Sequence, residues 1–100
     1  MTYSFDRSEF RNRAVVAVML ASLDGRLSTE RIFTQNISDH GARVLAKQRW
    51  RTDDSLLIKS MEGDLQSEAR VVYSRPADDN CYAIGLALVR PTGMWWRTRT

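Results

Sequence analysis

The feature that most limits what this chain can become is a succession of short β-prone runs. Turn residues break them about every ten positions, and no sustained helical period appears. Ala14-Val15-Val16-Ala17-Val18-Met19-Leu20 is short and rich in β-branched residues, as a strand requires. Asp24-Gly25 predicts a two-residue type I′ hairpin, since both residues accept positive φ. The chain returns over Leu27 to Ile37, with Ile32 and Phe33 at the centre. Gly41 permits a bend into Ala42–Ala46, and the polar stretch Lys47–Asp54 leads to Leu56–Lys59. Glu62-Gly63 turns the chain into a fifth run. There Leu65, Ala69, Val71 and Tyr73 are expected on one face, with Gln66, Glu68 and Arg70 on the other. After the turn-rich Pro76–Asn80, a sixth run carries Tyr82, Ile84, Leu86 and Leu88 on one face and ends at Pro91 and Gly93. A short helical turn has room at Lys47–Arg51 or Met94–Trp96. The pattern predicts an all-β antiparallel barrel or sandwich.

At 100 residues, 43% of them hydrophobic, the chain is one domain able to bury a modest core. The organisation expected is a polar, arginine-bearing arm at 1–13, a β domain at 14–92 and a tail at 93–100. A net charge of +3 favours anionic partners without choosing among them. Cys81, the single cysteine, has no intrachain partner, as suits a reducing cytoplasm. The longest apolar run, Ala14–Ala21, is far short of the roughly 20 residues a membrane span needs, and no convincing cleavage site follows it. The expectation is a cytoplasmic protein without a membrane span.

Catalytic inventories fail. One histidine and one cysteine cannot build a zinc site of several such ligands within the chain. Ser38, Asp39 and His40 are consecutive, whereas a triad needs side chains converging from separate positions. Neither a P-loop nor a Gly-x-Gly-x-x-Gly fingerprint occurs. The carboxylates sit mainly in turns, where they shape the backbone. No enzyme, metal or cofactor is expected.

Two motifs remain. Arg7 and Arg11 form Arg-x-x-x-Arg before the first run, and Asn36-Ile37-Ser38-Asp39-His40-Gly41 forms Asn-x-Ser-x-x-Gly at the end of the second. In this order, with Ala69-Arg70-Val71-Val72-Tyr73 and Tyr82-Ala83-Ile84-Gly85-Leu86 further on, the chain resembles the PilZ domain family over nearly its whole length. The resemblance implies a six-stranded antiparallel β-barrel. It also implies a site for the bacterial second messenger cyclic di-GMP at Arg7, Arg11, Asn36, Ser38 and Gly41. The chemistry suits that ligand. A guanidinium grips a phosphate or pairs with guanine O6 and N7, an amide and a hydroxyl can read a guanine edge, and glycine lets backbone approach a flat base. In the family, the residue before the first arginine influences whether one ligand or a stacked pair binds; here it is Asp6, an anion, which disfavours the pair.

Each residue also has a plainer reading. Arg7 and Arg11 can be solvated charges on a terminus, Asn36 and Gly41 can shape a turn, and Ser38 can cap a backbone group. His40, at a variable position of the motif, is expected to be exposed and without a role. Arg13 and Arg43 either add positive potential or are merely solvated. Trp95 and Trp96 either pack on the barrel's open end or form a docking patch. The expected mechanism is a ligand-switched adaptor, in which the arm closes over the nucleotide and presents a surface to a protein partner. Two alternatives stand beside it: an adaptor that binds no nucleotide, and a basic barrel that stacks single-stranded nucleic acid on Trp50, Trp95 and Trp96 among Arg49, Arg51, Arg97 and Arg99.

Overall fold

The computed structural model describes residues 15–96. Six strands form, β1 (Ala17–Ser22), β2 (Glu30–Ile37), β3 (Gly41–Ala46), β4 (Ser55–Ser60), β5 (Gln66–Pro76) and β6 (Tyr82–Thr92). All pairings are antiparallel and the sheet closes in the order β1-β2-β3-β6-β5-β4. Barrel therefore wins over sandwich. Closure comes from β1, which pairs with β2 on one side and β4 on the other, so no strand edge is left open.

Period-2 alternation supplies the interior. Val18, Leu20, Val44, Leu56, Ile58, Ala69, Val71 and Ile84 are fully buried, each larger side chain contributing about 1.5–3 kcal/mol. Two tryptophans join this core from the connections. Trp50 follows β3 and Trp95 follows β6, and both are buried. The indole N–H of Trp95 donates to the Ser38 carbonyl at 3.1 Å. The Trp50 N–H finds no hydrogen-bond partner among the described residues, the burial of its large ring offsetting that loss. Of the two expectations for the tryptophan pair, packing holds for Trp95, while Trp96 stays exposed.

Three irregularities decide which side chains face outward. A bulge between Thr34 and Asn36 lets both Thr34 and Ile37 point inward despite their odd spacing, leaving Gln35 exposed. A second, between Val71 and Tyr73, turns Tyr73 to the outer face, opposite Gly85. Tyr73 was expected beside Val71 on the inner face; the extra residue reverses the alternation there. A third shift sets Gln66 opposite Thr92 and Glu68 opposite Val89. It lies beside Arg90, whose φ is 55°, and β6 runs on through Pro91 to end at Thr92, just before Gly93.

The connections also depart from expectation. Glu30, not Leu27, begins β2, and β1 reaches β2 through a loop over 23–29 rather than a two-residue turn. Within that loop only Gly25 takes positive φ. Asp24 instead builds an Asx turn: it accepts from the Ser22 hydroxyl at 2.6 Å and from the Arg26 N–H at 2.9 Å. Those bonds hold its carboxyl below the usual carboxylate range, the serine bond most strongly. The type I′ geometry appears between β5 and β6, where Asp79 and Asn80 both have φ 60° and the Cys81 N–H closes on the Asp78 carbonyl. This is also the short helical turn, placed at Asp78–Asn80 rather than at Lys47–Arg51 or Met94–Trp96. The buried Glu30 carboxylate accepts the Lys47 N–H and binds Gln48, so the β3–β4 connection is tied down from β2.

At the motif end, the β4–β5 turn and the chain after β6 lie in contact. The Ser60 hydroxyl donates to the Trp95 carbonyl at 2.6 Å, and a Cβ at Gly63 would lie 2.4 Å from the Met94 carbonyl oxygen. Gly63→Ala is therefore expected to lower stability by about 1–3 kcal/mol through backbone overpacking. A thermal melt should fall by several degrees, whereas unchanged melting would show that the two segments separate freely.

Candidate functional site

The Asn-x-Ser-x-x-Gly segment spans the end of β2, the turn and the first residue of β3. Ser38 organises it. Its hydroxyl oxygen accepts from the His40 N–H at 3.2 Å and the Gly41 N–H at 3.1 Å, and its own N–H donates to the Gly41 carbonyl at 2.9 Å. The side chain is buried and its carbonyl holds Trp95. The capping reading of Ser38 is thus the one its geometry displays. Gly41 pairs with Ala87 in the sheet, and the positive-φ glycines among the described residues are Gly25 and Gly93. Gly41 itself is buried and does not take positive φ. His40 is exposed, as expected, and its carbonyl accepts from Leu88 on β6.

Asn36 is half-buried on the outer face, and its cross-strand partner is Arg43. From there a single row crosses four strands: Asn36 on β2, Arg43 on β3, Gly85 on β6 and Tyr73 on β5. Arg43 is exposed and makes no ion pair with any described residue. The Tyr73 ring occupies the space over Gly85, where a Cβ would come within 2.2 Å of a ring carbon. The Arg75 guanidinium lies 4.7 Å from the centroid of that ring. The outer wall beside the motif thus presents an amide, a guanidinium without an ion pair among the described residues, and an aromatic ring that covers Gly85 and carries a second guanidinium. Such a set can take an anion and a flat π-system together. Sequence reasoning weighed Arg43 only as background charge and passed over the Tyr73–Gly85 contact; both depend on register.

Arg7 and Arg11 lie outside the described residues, as do Arg13, Arg97 and Arg99. The place where the arm joins the barrel is described. The Val16 N–H donates to the Thr34 hydroxyl at 2.9 Å, and the Thr34 N–H donates to the Val16 carbonyl at 2.9 Å. Thr34 stands two residues before Asn36 on the same strand.

A separate cleft of about 280 Å³ lies at the β5–β6 turn, lined by Arg49, Arg75, Asn80, Cys81 and Tyr82. Tyr82 pairs with Ala46, at the end of β3 remote from Gly41, so this cleft is not the motif site. The nucleic-acid reading loses two of its stacking platforms, because Trp50 and Trp95 are buried in the core. No group of metal-ligating side chains occurs among the described residues, and none of their helices is long and apolar enough to cross a membrane.

A family model for the PilZ domain matches residues 5–93, a range that takes in both Arg-x-x-x-Arg and Asn-x-Ser-x-x-Gly. No curated protein and no solved structure matches the chain. With the closed six-stranded barrel and the motif turn at the foot of the arm, that match over most of its length decides the matter: the chain belongs to the PilZ domain family.

Proposed function

We propose that this domain binds cyclic di-GMP on the outer wall beside the β2–β3 turn and acts as a ligand-switched adaptor without catalysis of its own. The observation that carries the reading is the position of the arm's root. Val16 is hydrogen-bonded to Thr34, next to the motif. An extended chain covers at most about 3.3–3.6 Å per residue, so Arg11, four residues before Val15, has a reach of roughly 14 Å. Arg7, eight residues before it, has twice that. Both guanidiniums therefore have the length to meet a ligand lying on the row from Asn36 to Tyr73.

In this reading the roles divide. Arg7 and Arg11 grip phosphate or guanine from above, charge-assisted contacts worth about 1.5–3 kcal/mol each. Asn36 reads a guanine edge, and Arg43 adds the unpaired cation beside it. Gly41 brings no side chain of its own to stand between backbone and base. Ser38 acts by holding the turn in shape, with its oxygen already accepting two amides. Closure of the arm over the ligand gives a protein partner a surface that exists only in the bound state.

Isothermal titration with cyclic di-GMP, using GMP as the control, is the direct test. Arg7→Ala and Arg11→Ala should each weaken binding by at least about tenfold, with melting unchanged in the absence of ligand. Wild-type titration curves for both variants would remove the site. No heat with cyclic di-GMP would leave an adaptor that works without nucleotide.

Ser38→Ala separates the scaffold from the contacts. By stripping two amides of their acceptor, it should destabilise the free protein by about 1–3 kcal/mol in urea unfolding, while Asn36→Ala should weaken ligand binding and leave the unfolding midpoint nearly in place. The reverse pattern would exchange the roles assigned to these two side chains.

A further inference from the structure

The cleft at the β5–β6 turn lies at the end of the barrel remote from Gly41, and none of the motif residues lines it. Strand pairing fixes its surroundings. Tyr82, the first residue of β6, sits between Ala46 on β3 and Pro76 on β5, and Arg75 pairs with Ala83. Arg49 comes from the β3–β4 connection, where both of its neighbours are anchored. Gln48 is hydrogen-bonded to Ser28 and Glu30, and Trp50 is buried in the core. Two arginines are thus brought to one cleft by separately fixed stretches of backbone. Neither forms an ion pair with any described residue, and the Arg75 guanidinium rests on the Tyr73 ring. Asn80 adds an amide to the lining, and Ser74 and Tyr82 add hydroxyls. No carboxylate is among the lining residues.

We propose that this cleft binds a small phosphate monoester, its phosphoryl oxygens gripped by Arg49 and Arg75 and its ester body set against Tyr82 and Pro76. A phosphate monoester carries a charge of about −1.5 to −2 and three strong acceptor oxygens. A carboxylate offers one charge and two oxygens. Two planar guanidinium forks with an amide and hydroxyls beside them match the larger set. At about 280 Å³ the cleft lies at the small end of ligand pockets, which limits the ester to a compact body. The turn discriminates against longer anions. Asp78 and Asp79 precede Asn80 without lining the cleft. A nucleic-acid strand or an anionic bilayer laid across the opening would therefore set further phosphates against two carboxylates, whereas a compact ester meets the lining alone.

Cys81 serves as the reporter, because it lines the cleft, is half-buried and is the chain's single cysteine. The full chain, without cyclic di-GMP, is alkylated by iodoacetamide in rising concentrations of phenyl phosphate. Protection of Cys81 should saturate. At saturation, two-dimensional NMR should shift the amides of Arg49, Arg75 and Asn80 and leave Asn36–Gly41 in place. Arg49→Gln should raise the half-protecting concentration at least about tenfold while the melting temperature holds. Arg31→Gln, which removes an equal charge from an exposed position on β2, should leave it unchanged. No saturable protection, equal protection by benzoate, indifference to Arg49→Gln or an equal loss in Arg31→Gln would overturn the proposal. So would stronger protection by a single-stranded oligonucleotide or by phosphatidylserine vesicles, or shifts confined to the motif turn. With cyclic di-GMP left out, these outcomes stand whether or not the motif site binds it.

Discussion

One hydroxyl, that of Ser38, organises the end of the barrel where the motif sits. By accepting from His40 and Gly41 it fixes a turn that would otherwise carry two unanswered amides, and the same residue's carbonyl receives the indole of Trp95. The turn, the last strand and the chain beyond it are thereby joined: His40 reaches Leu88, Trp95 reaches Ser38, and Ser60 reaches Trp95. A wall that must present an amide and a guanidinium in fixed positions needs such a foundation, because misplacing a polar contact by an ångström forfeits most of its value.

Register then sorts the two walls. The bulge at Gln35 lets β2 keep Thr34 and Ile37 inside while Asn36 faces out toward Arg43, and the bulge at Val72 brings Tyr73 over Gly85. Polar and aromatic groups gather on the side of β3, β6 and β5. Apolar groups gather around β1, with Phe33 opposite Ala17 and Leu57 opposite Ala21. A small closed barrel has room for two surfaces of different chemistry because its interior is served by alternate residues alone.

Much of this was legible in the chain. Period-2 alternation and turn residues announced six strands, and Asn-x-Ser-x-x-Gly announced the turn that proved to be the best-knit part of the motif end. What escaped was whatever depends on a shift of one residue. The alternation predicts Tyr73 beside Val71, and only the pairing of Val71 with Leu86 and of Tyr73 with Gly85 reveals the inserted residue. Asp24-Gly25 carries the composition of a type I′ turn, yet the Ser22 and Arg26 bonds to Asp24 make a longer loop there, and Asp79-Asn80 takes the I′ geometry instead. Pro91 and Gly93 did mark the end of β6 at Thr92, with Pro91 tolerated inside the strand because it lies at a shift in register. The burial of Trp50 between two arginines had no local signal, since it comes from the connection folding back on the core.

The order of strands has a bearing on folding. The last barrel strand in chain order, β6, is inserted between β3 and β5, and most of the barrel's contacts join residues far apart in sequence. Until β6 is in place, β3 and β5 each keep an unsatisfied edge with apolar residues behind it, and Trp95 comes later still. Without β6 the sheet is therefore held in a partly assembled state. Closure of the barrel waits on that insertion, and pairings between residues far apart in sequence make it topologically slow.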